Sequence, residues 1–255
     1  MNLGPEVLLM FKRVQKKDPI TKCKALEEIS QYIKAMNNKS QEYKNLLTFF
    51  LYHYCRIMVN ESDKKVREAT QNTLGGFIKN KETRDLAEHI DKVFPIWYCS
   101  FFDSSPEVAK AGQRNWTVAF KDNADEVFKM SFKYFLHFAD EHLRQTEDQL
   151  SEGSVDTSKV LKEEQYDRII SAILQALADS FKFTDKSSEE DKAYYYKKLV
   201  SYLDLKKAPK VAKEADAAPA KEVQDQIVSA SRAKPKKAAK GADKDQQTKL
   251  WLFMT

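Results

Sequence analysis

The sequence predicts an all-α, HEAT- or armadillo-like helical-repeat solenoid followed by a disordered C-terminal tail. Three observations predict it. Apolar residues recur at steps of three and four through most of the chain. A block made of an acidic turn, a small residue and a hydrophobic run returns about every 42 to 44 residues. The 255 residues include only 6 Gly and 7 Pro, which leaves little material for the tight turns of a β fold.

The elements follow in order. Ala25, Leu26, Ile29, Tyr32, Ile33 and Met36 form one helical stripe, and residues 43–59, denser in Leu, Phe and Tyr, suit the inner helix of a pair. A lone hairpin cannot bury such a face, so the same unit should recur, and it does. ESDKKVREATQNTLGGFI aligns Ala69 with Ala25, and FFDSSPEVAKAGQRNWTVAF aligns Ala111 with Ala69. In each unit the acidic turn can cap the next helix, the small Ala permits close approach and the residues after it fill the seam. Asp18-Pro19 and Ser105-Pro106 place proline in a first helical turn with Asp or Ser as the N-cap. Pro95 lies inside an otherwise helical run, 84–102, and should kink it or split it at Phe94. Gly75-Gly76 should weaken the helix that carries them. A long helix is expected over 125–143, an exposed loop over 146–158, a helix over 163–181 and a last one over 188–203. Stacked antiparallel pairs would then make one continuous superhelical arm over residues 1–205, with an Ala/Lys/Pro-rich disordered tail over 206–255.

Composition limits the chemistry. Lys and Arg number 43 against 38 Asp and Glu, but much of the +5 surplus sits in the tail, so charge alone does not announce a nucleic-acid-binding domain. Cys23, Cys55 and Cys99 are odd in number and far apart, which argues against a disulfide framework and fits a reducing compartment. No run reaches the roughly 18 to 20 apolar residues of a membrane span, and the opening MNLGPEVLLMFKRVQKKD lacks the pattern of a signal peptide; the expected location is the cytosol. There is no Ser-His-Asp order with a glycine-rich elbow, no P-loop and no dinucleotide fingerprint, so no catalytic residues are assigned. His137 and His142 share one helix with no Cys nearby and read as surface or half-buried residues rather than metal ligands. Arg67 reads as an inter-repeat hydrogen-bonding residue, and Trp97, Phe101, Phe102 and Trp116 as seam filling. Lys234, Lys236, Lys237 and Lys240 read as a solvated tail.

KKDPITKCKALEEI, with Asp18, Thr21, Lys22, Lys24, Ala25, Leu26 and Glu28, resembles the opening motif of the listerin family. WYCSFFDSSPEVAKA, then Ala119-Phe120, then YDRIISAILQAL follow that family's order, and the similarity spans about residues 6–205. The resemblance implies the N-terminal region of a RING-type E3 ubiquitin ligase of ribosome-associated quality control, which ubiquitylates stalled nascent chains on 60S ribosomal subunits. It implies docking on the 60S subunit and on a nascent-chain-tailing factor (NEMF-like), with Lys16, Lys17, Asp18, Thr21, Lys22 and Lys24 as the docking residues. Taken by themselves, the lysines among them equally suit a solvated helix start. A RING needs eight paired Cys and His ligands, and three isolated Cys with four His cannot supply them. No cofactor is therefore expected in this chain; zinc and the E2 ubiquitin-conjugating enzyme would belong to a RING outside it, and the sequence reads as a fragment, a misread gene end or a truncated paralogue. The alternative is a generic HEAT-repeat scaffold or transport adaptor that binds protein partners and makes no use of the Thr-Lys-x-Lys-Ala-Leu block.

Overall fold

The computed structural model describes residues 3–37, 40–79, 86–150 and 159–184, together with position 197. The rest of the expected helix at 188–203 and the tail at 206–255 lie outside the described residues. Among those described, all regular structure is helical: α1 Pro5–Val14, α2 Pro19–Ala35, α3 Gln41–Asn60, α4 Lys64–Lys79, α5 Ile90–Ser100, α6 Pro106–Phe120, α7 Ala124–Arg144, α8 Glu147–Leu150 and α9 Lys159–Thr184. The protein has an all-α helical-repeat fold.

Helix starts follow the local chemistry. Asp18 takes the Thr21 amide at 2.9 Å ahead of Pro19, and Ser40 takes the Tyr43 amide at 3.1 Å ahead of α3. Asp63 takes the Lys65 and Val66 amides at 2.8 and 3.2 Å ahead of α4. Ser105 occupies the N-cap position of α6, yet its hydroxyl donates to Glu107 at 2.8 Å and caps no amide, unlike the cap expected there. Pro95 lies inside α5 without splitting it at Phe94. The break falls earlier: a turn at 88–89 lets the Lys92 and Val93 amides start a new helix on the His89 carbonyl. A helix begun that close to the proline has little upstream ladder for the ring to disrupt.

The helices form two layers. α2, α4 and α6 lie side by side in one, and α3, α5 and α7 in the other. α1, a helix the sequence reading left unassigned, packs on α2 and sets Phe11 against Phe49 and His53 of α3. The first layer is parallel and in register. Ser30 of α2 bonds Thr73 of α4 at 3.0 Å, and Arg114 of α6 bonds Asn72 of α4 at 3.2 Å. A ladder of ion pairs repeats with the helices. The fourth residue of α2, Lys22, pairs with Glu61 just ahead of α4, and the fourth residue of α4, Arg67, pairs with Asp103 just ahead of α6. At the matching place in α6 stands Ala109, which offers no cation to a further helix.

Regular stacking ends there. α9 does not extend the first layer; it folds back across the second, packing on α3, α5, α7 and α8. Residues 146–150, expected within an exposed loop, include α8, whose Leu150 is buried and accepts from Gln165 of α9 through its carbonyl at 3.4 Å. The arm is thus continuous from α2 to α7, and α9 ties its inner layer together from one side.

Glycines set how closely α6 approaches α4 and the end of α5. A Cβ on Gly112 would meet Ser100 Oγ at 2.5 Å, and one on Gly75 would meet Asn115 Oδ1 at 2.6 Å. Neither neighbour is free to move, because Ser100 accepts from Gln71 at 2.9 Å and Asn115 donates to the Gln71 carbonyl at 2.7 Å. Gly76, one residue on, has open space around it. Gly112→Ala and Gly75→Ala should each cost about 1–3 kcal/mol in overpacking, although alanine is the better helix former. Gly76→Ala should instead stabilise by up to about 1 kcal/mol. Urea unfolding of the three variants checks this, and equal shifts for Gly75→Ala and Gly76→Ala would refute the close-approach reading.

Candidate functional site

The turn between α1 and α2 and the first residues of α2 carry the residues expected to dock. Lys16, Lys17 and Lys24 are exposed. Asp18 and Thr21 are bonded to each other through the N-cap, and the Thr21 hydroxyl and amide hold the Asp18 carboxyl below its usual pKa. Their contribution is to fix where α2 begins. Lys22 is buried and paired with Glu61, so its charge is spent inside the fold. Periodicity carries that signal: Lys22 precedes Leu26, Ile29 and Ile33 at helical spacing and so shares their stripe, whereas Lys24 does not. Of the six expected docking residues, three lysines remain open to a partner.

Beside this turn lies a groove of about 510 Å³. The α1–α2 turn supplies Lys17 and Pro19, α3 supplies His53, Arg56 and Asn60, and α9 supplies Leu161 and Glu164. Its far side is the α3–α4 turn, Glu61 to Asp63. α9, by folding back, supplies one side of the groove. His53 packs against Phe11 and Phe49 with ring centroids 4.9 Å away in each case, and burial with Arg56 nearby pushes its pKa down to about 4. It is therefore neutral at pH 7.

Behind the groove is a buried charge network. Arg67 grips Asp103 through Nε at 2.8 Å and Nη2 at 2.9 Å, the inter-repeat role expected of it. Arg168 of α9 lies 3.8 Å from the same carboxylate. Its guanidinium donates to the carbonyls of Met58 at 3.0 Å, Val59 at 2.7 Å and Glu61 at 3.2 Å. Those groups end α3, where helix carbonyls lack intrahelical partners, so a residue from a distant helix supplies the cap. Burial and the nearby Arg67 lower the Arg168 pKa to about 10, with Asp103 and Glu61 opposing them. No motif pointed to Arg168, because a basic residue on a helix looks the same before its acceptors are known.

Trp97 is fully buried and Trp116 nearly so, with Phe101 and Phe102 packed against the same core. His142 bonds the Phe138 carbonyl through Nδ1 at 2.9 Å, while His137 is exposed. Among the described residues, no group of three or more His, Cys, Asp or Glu is placed to hold a metal ion, and no helix is long and apolar enough to cross a membrane.

Two stacked helical layers, a basic turn and an open groove define a helical-repeat scaffold. The family described as E3 ubiquitin-protein ligase listerin, N-terminal domain, matches residues 3–250, and the chain belongs to that family. It is 27% identical to the E3 ubiquitin-protein ligase listerin of Neurospora crassa over 195 residues, which are 74% of this chain and 12% of that one. It is 25% identical to the listerin of Gallus gallus over 209 residues, 81% of this chain and 11% of that one. The listerin of Drosophila melanogaster is 27% identical over 123 residues, 48% of this chain and 7% of the other. The chain thus spans a small N-terminal share of a listerin's length, and membership favours a listerin role over a generic transport adaptor.

Proposed function

We propose that this chain is the ribosome-docking arm of an E3 ubiquitin ligase of ribosome-associated quality control. It acts in the cytosol on 60S subunits that hold stalled nascent chains, alongside a nascent-chain-tailing (NEMF-like) factor. Ubiquitin transfer, its zinc and the E2 enzyme belong to a RING outside this chain. Membership of the listerin N-terminal family carries the reading. The exposed Lys16, Lys17 and Lys24 give it a physical form, since cations at a rigid helix start can neutralise RNA phosphates and release counterions.

The triple variant Lys16→Glu, Lys17→Glu and Lys24→Glu tests it by co-sedimentation with purified 60S subunits. Lys22 is left intact because its loss would open the buried pair with Glu61. If each lysine meets one phosphate, the slope of log affinity against log salt should become shallower by roughly 2–3 units, with binding at least about tenfold weaker. Unchanged co-sedimentation of a variant whose circular dichroism is native would reject docking through this turn.

A further inference from the structure

α9 packs on α3, α5, α7 and α8 and buries Ile169, Ile173, Ala176 and Ser180. Away from that side it carries a second, shallow groove, lined by Asp167, Ile170, Ser171, Leu174, Gln175 and Ala178. Steps of three and one residues put all of these on one face of the helix. Ile170 is the buried edge of the face, while Leu174 is 40% exposed. Gln175 donates to Ser171 at 3.0 Å, so these two polar groups are met within the helix and Leu174 and Ala178 remain as apolar surface. Among the described residues, α9 alone lines this groove. A strip one helix wide falls far short of the roughly 20–30 residues a side of a stable protein interface, and it suits one further helix.

The chain itself supplies that helix. α9 ends at Thr184, and the sequence expects a helix over 188–203, in which Tyr196, Leu199, Val200 and Leu203 recur at helical spacing as one apolar stripe. Position 197, described within that stretch, is helical and exposed, and Lys197 falls off the stripe. Residues 185–187 make a connection of the length that joins antiparallel neighbours. A helix over 188–203 is about 24 Å long, so running back from Thr184 it ends level with Arg168 and passes the whole groove except its last residue, Asp167. In that register Leu199 and Val200 come level with Leu174, and Leu203 with Ile170, each to within about one turn. We propose that residues 188–203 lie antiparallel on this face of α9 and cover Leu174 with the stripe formed by Tyr196, Leu199, Val200 and Leu203. The pairing returns the chain towards the end of α9 whose Leu161 and Glu164 line the groove beside the α1–α2 turn. It is independent of ribosome docking.

Thiol alkylation of the full chain, read at single positions by peptide mass spectrometry, tests this. Leu174→Cys places a thiol under the proposed helix, and Val160→Cys places one on the same helix beyond its reach, where the native side chain is 63% exposed. Iodoacetamide should react at position 174 at least about tenfold more slowly than at position 160. Adding Leu199→Asp to Leu174→Cys should bring the two rates to within about twofold, because a charge in the stripe releases the helix. If that double variant fails to fold, Leu199→Ala takes its place and should raise the rate at position 174 at least about threefold. Hydrogen exchange of the unaltered chain should show amides within 188–203 protected at least about tenfold over an unfolded peptide. Equal alkylation at the two positions, slow alkylation at position 174 that neither Leu199 substitution changes, or unprotected amides over 188–203 would each overturn the proposal. Slow alkylation that is lost on dilution would assign the face to a second copy of the chain and overturn it as well.

Discussion

Asp103→Ala should lower the free energy of unfolding by about 3–5 kcal/mol. Asp103 accepts two bonds from Arg67 and the Ser105 amide at 2.9 Å, and it sits 3.8 Å from Arg168. Its side chain and that of Arg67 are each 2% exposed, so water cannot replace what is lost. The large effect comes from the two guanidinium groups left facing each other without an anion, rather than from the worth of one pair. Asp103→Asn, which keeps the shape and an acceptor oxygen, should cost less. Because the same carboxylate joins α4 to the turn before α6 and lies against α9, the loss should appear as one cooperative shift in urea unfolding. A change below about 1 kcal/mol would refute the view that this network joins the repeats.

Trp97→Ala should cost a similar amount, about 3–5 kcal/mol, by emptying the centre of the seam. Trp97 is fully buried, packs edge-on to Trp116 at 5.3 Å and lies 5.8 Å from Phe120. Its indole N–H donates to the Gly112 carbonyl at 3.0 Å, at the residue whose missing side chain lets α6 approach Ser100. Trp97→Phe separates the two contributions: it keeps most of the apolar volume and loses the hydrogen bond, so about 1–2 kcal/mol is expected. Unfolding followed by circular dichroism reads both variants. Equal losses for Phe and Ala would mean that volume is not what Trp97 contributes.

The helices and their pairing could be read because they depend on near neighbours. Helical spacing in Ala25, Leu26, Ile29 and Ile33 marks a buried face whatever that face later meets, and those four residues are all buried. Asp18 before Pro19 caps its own helix for the same local reason. Arg67 could be placed in an inter-repeat bond because the repeat brings a successive acidic turn to each cation. The docking set was read less well. Six residues were grouped by proximity in sequence, while helical rotation puts Lys22 inside and Lys24 outside. Pro95 and Ser105 show the same limit, since a helix can begin later than its pattern and a cap hydroxyl can choose a side chain over an amide.

By itself the sequence determined the all-α class, the order of the helices α2 to α7, the seam aromatics and the family. Each of these is written in spacing, composition or an ordered set of motifs. Only the tertiary structure decided that α9 crosses the second layer, that Arg168 caps α3, and that a groove lined by His53 opens beside the basic turn. The reason is that helix-end carbonyls, buried carboxylates and apolar stripes occur in every repeat. Which of them a helix more than a hundred residues away will meet is settled by packing and not by any local signal.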